Sequence, residues 1–314
     1  CLVRPSSNLD YIADLDVELV EGDIRDYDSF AEQLAGCEWV IHNAAYAADW
    51  GSYEKFYAVY VQGTLNLLRA CVEYNVKNVI LTSSISVYGE EDSEQIKDET
   101  WPYNAHYDYF LDSIFPCKMN YYRDTKALAE RKAVAFAQEQ GLNLTVLQPV
   151  WVYGEREFNT GFYEYLQTVK SGVPCLPGKK LNKFHLIYVK DLARAYYRVL
   201  KKELTGINTF IIGNPEAEFM ERIYKLFTTA AGLKKPWNLP QCIVYPLGFS
   251  LELIYTLLDT KQPPLLTRGR VNIFYDNIEY DTTKAEKILD FKAQYSLEEG
   301  IQNTVQWYQE HGFL

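Results

Sequence analysis

The 314-residue chain is 48% hydrophobic and 23% charged with both signs interspersed, which excludes a disordered segment and allows one large α/β domain or a nucleotide-binding domain with a smaller lobe. Its net charge of −11 argues against a nucleic-acid partner, because no basic run overrides the average and the loose Lys179, Lys180 and Lys183 cluster reads as a solvated loop. The six cysteines and four histidines are scattered without a Cys-x-x-Cys pair, so no disulfide framework and no metal site is expected, and the cytoplasm is the default setting.

In chain order, Cys1-Leu2-Val3 reads as the end of a strand, followed by a turn through Arg4-Pro5-Ser6-Ser7. Residues 17–20 predict a short strand, 28–34 a helix, and 39–42 a buried strand. Helical spacing from Phe56 to Tyr74 puts Leu65, Leu68 and Val72 on one face. Val79-Ile80-Leu81 is the next buried strand and delivers Thr82-Ser83-Ser84 at its C-terminal end. A Tyr- and acid-rich loop covers 90–120, and an Ala-rich helix runs from Tyr122 to Gln140. A strand at 144–147 stops at Pro149, and a run with a helix at 184–200 and a strand at 208–212 follow. The remainder, from Pro215 on, is mostly helical.

Short apolar runs alternating with helices predict an α/β fold with a doubly wound, Rossmann-like parallel sheet and a smaller, mostly helical C-terminal substrate lobe. The expected division gives 1–154 and 182–213 to dinucleotide binding, and 155–181 and 214–314 to the substrate lobe. The apolar stretch Cys242–Leu258 is interrupted by Pro246, Gly248 and Glu252 and falls short of the roughly 20 residues that a membrane span needs.

Reduction of a ketone needs a proton donor at the carbonyl oxygen and a means of lowering that donor's pKa. A Tyr four residues before a Lys on a helix supplies both, since the two side chains share a face. The chain holds this spacing at Tyr122–Lys126, Tyr197–Lys201 and Tyr280–Lys284. Only Tyr122–Lys126 opens an amphipathic helix following the strand that bears Thr82-Ser83-Ser84, and strand ends of an open α/β sheet are where ligands bind. Read alone, Tyr122 could equally be a surface tyrosine and Ser84 a turn hydroxyl.

Several ordered segments together resemble the extended short-chain dehydrogenase/reductases (the NAD-dependent epimerase/dehydratase family), nearest the 3β-hydroxysteroid dehydrogenase and dihydroflavonol reductase branch. Val40-Ile41-His42-Asn43-Ala44-Ala45 resembles the strand-end segment beside the cofactor, and Gly22-Asp23-Ile24-Arg25-Asp26 resembles the segment that contacts adenine. Thr82-Ser83-Ser84-Ile85-Ser86-Val87-Tyr88-Gly89 is similar to the catalytic Ser segment, and Pro149-Val150-Trp151-Val152-Tyr153-Gly154 to the turn that packs on nicotinamide. Segments 187–193 and 296–307 are similar to later landmarks.

The resemblance implies Ser84, Tyr122 and Lys126 as catalytic residues. It implies Arg4, Asp23, Ile24, Ala44, Ala45, Ser83, Tyr122, Lys126, Pro149 and Val152 as cofactor-binding residues. It also implies a homodimer through the helices near 56–74 and 122–140. Arg4 with Ser6 and Ser7, where an acidic residue would take the ribose hydroxyls of NAD, suits the 2′-phosphate of NADP, so NADP is expected over NAD.

Departures from the pattern are specific. The Gly-x-x-Gly-x-x-Gly turn, expected about thirty residues before Leu2, is absent, so a fragment of a longer chain is expected. Tyr60 stands where the family has an active-site Asn, which would disturb a proton relay, and Gln148 stands where Arg precedes the Pro. An insertion around 106–118, rich in aromatics (Tyr107, Tyr109, Phe110, Phe115), suits a wall or lid on a substrate pocket. Ser83-Ser84-Ile85 replaces the Asp-Glu pair of a sugar-nucleotide dehydratase and speaks against dehydration.

The lobe segments 239–258 and 262–268 look like the steroid and flavonoid branch, where a helix here caps a pocket for an apolar substrate and sometimes touches a membrane. The expected function is therefore a reductase or dehydrogenase acting on a ketone–alcohol pair of an apolar small molecule, with 242–258 either an ordinary core helix of the lobe or a site of peripheral membrane contact. The alternatives are a UDP-sugar 4-epimerase and a non-catalytic structural or nucleotide-sensing subunit.

Overall fold

The computed structural model describes residues 1–89, 95–158, 161–179 and 181–314, so 90–94 of the acid-rich loop and Lys180 of the basic cluster lie outside the described residues. The chain runs through strands β1 (Leu2–Val3), β2 (Val20–Glu21) and β3 (Trp39–His42), then helix α1 (Tyr53–Tyr57). A π-helical turn, Ala58–Gln62, joins α1 to α2 (Gly63–Glu73), and β4 (Asn78–Thr82) follows. Helix α3 (Lys118–Gln140) leads into β5 (Asn143–Pro149), β6 (Trp151–Tyr153), α4 (Phe162–Lys170), β7 (Cys175–Pro177), β8 (Lys183–Phe184) and β9 (Leu186–Tyr188). Next come α5 (Val189–Lys201), β10 (Ile207–Ile212), β11 (Glu218–Phe219), α6 (Met220–Ala230) and β12 (Trp237–Leu239). The C-terminal part closes with α7 (Gln241–Leu257), α8 (Arg268–Ile273), α9 (Thr283–Leu289) and α10 (Leu297–Glu310).

The main sheet is parallel with strand order β10-β5-β4-β3. Alternate residues of its strands enter cores on opposite faces. Val79, Leu81, Leu144 and Val146 meet Leu67 and Leu68 of α2 and Ala133 and Ala137 of α3. Ile80, Leu147 and Phe210 meet Ala195 and Val199 of α5 on the other face. Burial on both faces explains why Val79-Ile80-Leu81 of β4 reads as a continuous apolar run and β5 as a mostly apolar one broken by Thr145 and Gln148.

Some expectations shift. The strand expected at 17–20 narrows to Val20–Glu21, paired in parallel with β1. The helix expected at 28–34 is two 3₁₀ turns, Tyr27–Ser29 and Ala31–Leu34. On α2, Leu67 and Leu68 are buried while Leu65 and Val72 are only half-buried. β3 is not fully buried: among the described residues its outer edge pairs with no strand, and Ile41 is 46% exposed. Helix α3 starts four residues before Tyr122, so the pair sits one turn inside it. No helix among the described residues is long and apolar enough to cross a membrane, and all six cysteines are free.

Candidate active site

The strands β3, β4 and β5 run parallel, so their C-terminal ends open on one side of the sheet, the side where α/β folds take ligands. β4 ends at Thr82, and Ser84 then caps the 3₁₀ turn Ile85–Tyr88 in an extended conformation. The Ser84 hydroxyl accepts a hydrogen bond from the Ser86 backbone N–H (3.2 Å), which leaves its own proton for a ligand. Helix α3 packs against this turn and carries Tyr122 and Lys126 one turn apart.

Lys126 is buried, and its ammonium donates to the Thr82 carbonyl (3.1 Å), two residues before Ser84. Burial pushes its pKa down to about 8, opposed by the carboxylate of Glu130. The ammonium also lies 4.5 Å from the centroid of the Tyr60 ring, a cation–π contact. Tyr122 is half-buried and meets Tyr60 and Phe56 edge to face, at 5.8 and 6.5 Å between centroids.

Tyr60 thus acquires a physical role that its place in the sequence did not suggest. It lies in the π-helical turn, stacks on Phe56 at 6.3 Å, and gives its hydroxyl to the Tyr46 carbonyl at 2.7 Å. What it offers Lys126 is a ring face, not a hydroxyl. His42, at the end of β3, is buried against the Thr64 hydroxyl (2.9 Å), and burial, with Lys126 adding to it, takes its pKa down to about 3.

Of the other expected cofactor residues, Ala44, Ala45 and Pro149 lie at the ends of β3 and β5, Val152 lies in β6, and Arg4, Asp23 and Ile24 follow β1 and β2, a separate two-stranded sheet. Asn43, Ala44 and Ala45 are exposed on the loop leaving β3, and the two alanines add little bulk there. The Asp23 carboxylate is held by Arg25 (2.9 and 2.6 Å), which keeps its pKa below the usual range, and Arg4 contributes to the same lowering. The Arg4 guanidinium is exposed, while Ser7 is occupied in closing the turn: its hydroxyl accepts from the Arg4 N–H at 3.0 Å.

Ile24 is 7% exposed and packed on Gly63, where an added Cβ would fall 2.6 Å from Ile24 Cδ1 and push that side chain aside. Pro149 is buried and Val152 half-buried on the turn after β5, which pairs with β9 through β6. Ser83 departs from its expected role: its side chain is buried and donates to Glu130, away from the exposed strand-end surface.

The insertion is tied to the lobe. Arg268, fully buried, pairs with Glu252 of α7 (Nε and Nη2, both 3.0 Å) and donates to the backbone carbonyls of Phe110 and Phe115. Its guanidinium lies 5.2 Å from the Phe115 ring and 5.3 Å from that of Phe249. The aromatic segment at 106–117 is therefore tied to α7 and α8. Arg270 joins lobe and strand-end loop in the same way, through Asp49 (2.5 and 3.1 Å). Tyr197 and Tyr280, the other tyrosines at the Tyr–Lys spacing, sit elsewhere: one exposed on α5, one buried with its hydroxyl on the Gly89 carbonyl.

Residues 2–213 match the family model described as the NAD dependent epimerase/dehydratase family. The chain belongs to that family. Members of the extended short-chain dehydrogenase/reductases are NAD(P)-dependent oxidoreductases and epimerases, and this chain is an enzyme of that type. It is 24% identical over 300 residues to the 2-alkyl-3-oxoalkanoate reductase of Shewanella oneidensis, covering 91% of this chain and 74% of that one. It is 25% identical over 309 residues to the decarboxylating sterol-4-alpha-carboxylate 3-dehydrogenase of Candida albicans, covering 94% and 83%. The UDP-glucose 4-epimerase of Thermotoga maritima with UDP-glucose shares the fold, with a TM-score of 0.75 at 22% identity over 99% of this chain and 90% of that one.

Sequence reasoning missed the residues that brace this site. Glu130 lies four residues after Lys126 on the helix, a spacing that places an acid beside a base and could have drawn notice. In the sequence Glu252 reads only as a break in an apolar run, and its pairing with Arg268 has no local signal.

Proposed function

We propose that this enzyme is an NADP-preferring reductase or dehydrogenase that interconverts a ketone and a secondary alcohol on an apolar small molecule. Ser84, Tyr122 and Lys126 are its reacting side chains. The observation that carries this reading is the buried Lys126 ammonium, fixed on the Thr82 carbonyl one helical turn from Tyr122 and two residues from Ser84.

In the direction of reduction, the Tyr122 hydroxyl gives its proton to the substrate oxygen. The neighbouring ammonium favours the tyrosinate that remains, an effect that grows as water is excluded. Ser84 donates a hydrogen bond to the same oxygen, aligning it against Tyr122. A nicotinamide dinucleotide bound at the strand ends supplies the hydride. The exposed, small Ala44 and Ala45 after β3 and Pro149 at the end of β5 suit such a ligand, Asp23 and Val152 would contact it further, and Lys126 would hold its ribose. Arg4, exposed and bearing no carboxylate contact within ion-pair distance among the described residues, would take the 2′-phosphate. Ser83 would contribute only backbone.

An apolar substrate is supported by the aromatic wall at 106–117 and by the named substrates of the two curated relatives, an alkyl-substituted oxo acid and a sterol carboxylate. Tyr122→Phe should lose turnover about 100- to 10,000-fold with cofactor still bound. The assay follows NADPH and NADH absorbance against apolar ketones, with UDP-glucose and UDP-galactose interconversion run beside it. Near-normal activity in the variant would remove the assignment, and sugar interconversion without net cofactor change would make the enzyme an epimerase.

The outer face of α7 supports peripheral membrane contact as part of the same reading. Its sole charged residue, Glu252, points inward, while Ile243, Leu247, Ile254, Leu257 and Leu258 are exposed. Phe110, Leu111 and Ile114 are exposed on the insertion, where Phe110 packs on Phe249 of α7. Sedimentation with phosphatidylcholine–phosphatidylglycerol vesicles should weaken in Leu247→Glu/Ile254→Glu; unchanged sedimentation refutes the contact.

A further inference from the structure

Glu130 is a buried carboxylate that the chemistry above leaves unused. Tyr122, Lys126 and Glu130 follow at four-residue intervals on α3, so three successive turns bear them along one side. Glu130 is 1% exposed. Its Oε1 accepts from the Tyr103 hydroxyl (2.5 Å) and from Gln148 Nε2 (2.7 Å), and the Ser83 hydroxyl donates to Oε2. Tyr88 holds the other end of Gln148, donating to its Oε1 at 2.8 Å.

These partners come from the parts of the chain that build the site: Ser83 precedes Ser84, Gln148 precedes Pro149, and Tyr103 belongs to the segment between β4 and α3. All three donors are neutral. Among the described residues no cation lies within ion-pair distance of the carboxylate, so nothing cancels its charge at contact. Burial is the largest influence on Glu130 and raises its pKa, while the three hydrogen bonds and the Lys126 charge act against it in favour of the anion.

The charged groups facing this region are few. Lys126 lies one turn back on α3, and Arg131 lies over the Tyr103 ring at 4.9 Å. Asp98 and Glu99 act on Tyr88 from the preceding segment, and His42 faces Lys126 from β3 as a neutral ring.

We propose that Glu130 is a positioning residue: a buried anion that keeps Lys126 charged and fastens the Ser83–Ser84 and Gln148–Pro149 segments to the catalytic helix. The proposal rests on the Tyr122–Lys126–Ser84 reading for its catalytic consequence. Its physical content does not need substrate or cofactor. The substitution Glu130→Gln preserves most of the hydrogen bonding and removes the charge. The substitution Glu130→Asp keeps the charge and disturbs the hydrogen bonding.

The test is the pH dependence of unfolding. Urea melts from pH 6 to 10 would be run on the wild type, Glu130→Gln and Glu130→Asp, each with and without Lys126→Met. Lys126 is held below its ordinary pKa in the folded state, so the unfolded chain binds more protons between about 8 and 10.5, and stability relative to the Lys126→Met partner should rise with pH there. In Glu130→Gln that rise should begin about one pH unit lower, because the folded protein loses the carboxylate that favours the ammonium. In Glu130→Asp it should stay near the wild-type position. A structural role alone would lower stability in both variants and leave the onset where it was.

An unmoved onset in a folded Glu130→Gln overturns the proposal. If that variant does not fold, carbon-13 NMR of the wild type labelled at the glutamate side-chain carboxyl reads Glu130 directly: an ionised Glu130 at pH 7 is expected, and a protonated one overturns the proposal equally. Failure of the Tyr122 reading is separate, appearing as full activity in Tyr122→Phe. That result would strip Glu130 of its catalytic role even with the onset shifted.

Discussion

Replacing Glu252 with alanine should be costly for reasons that can be worked out from its surroundings. Glu252 and Arg268 have 1% and 0% of their side chains exposed, so water cannot take over for a lost partner. Alanine at 252 strands the guanidinium and also the Arg268 backbone N–H, which donates to the carboxylate at 2.9 Å. Breaking a buried pair from one side costs about 3–5 kcal/mol. Arg268 keeps two carbonyl acceptors and the Phe115 and Phe249 ring faces, so the lower end, about 3 kcal/mol, is expected.

Urea unfolding of Glu252→Ala, Arg268→Met and a Glu252→Leu/Arg268→Met double variant tests this. The double variant should recover much of the loss, because it buries no unpaired charge. It still leaves the Phe110 and Phe115 carbonyls without their donor, so recovery stops short of wild type. Limited proteolysis should cut Arg268→Met within 106–117, where the Phe110 and Phe115 carbonyls lose their donor. A loss below about 1 kcal/mol in Glu252→Ala, within the range of a solvated pair, would refute the argument, as would single losses that simply add.

Other consequences are narrower. Arg4→Ala should weaken NADPH binding, read by fluorescence titration, and leave NADH binding unchanged; equal loss for both would remove the 2′-phosphate assignment. His42 is protonated near 6.5 when unfolded but only near 3 when folded, so the unfolded state binds more protons between those values and stability should fall as pH drops through that window. Urea melts at pH 4 and 7 should show a smaller drop in His42→Gln than in the wild type. Tyr60→Phe should retain turnover while losing about 1 kcal/mol of stability, since its hydroxyl serves the Tyr46 carbonyl; collapse of turnover would restore the hydroxyl to a proton path.

The parallel sheet was legible because burial on both faces leaves strands rich in apolar residues on both sides, as at Val79-Ile80-Leu81 and, broken by Thr145 and Gln148, in β5. Element ends were less so. The start of α3 carries no mark: Cys117 caps it without a side-chain hydrogen bond, where Ser, Thr, Asp or Asn would have signalled a boundary. Residues 27–34 carry apolar spacing short enough to suit two 3₁₀ turns as well as one helix. A buried β3 requires that something cover Ile41, which a run of apolar residues cannot show by itself.

The site divides along the same line. Tyr122 and Lys126 are local to one helix, and a four-residue spacing is visible in any sequence. What braces them is assembled across the chain: Ser83, Tyr103 and Gln148 reach Glu130 from 47, 27 and 18 residues away. No periodicity links such positions, because only the crossover from β4 to α3 to β5 brings them together. Tyr60 is the sharpest case. Read by type, it is an obstruction to a proton relay; in place, its hydroxyl is turned to a backbone carbonyl and its ring faces the ammonium. A substitution that changes hydrogen-bonding chemistry can thus preserve the electrostatic support of a neighbouring lysine, because an aromatic face and a polar atom can both answer a positive charge.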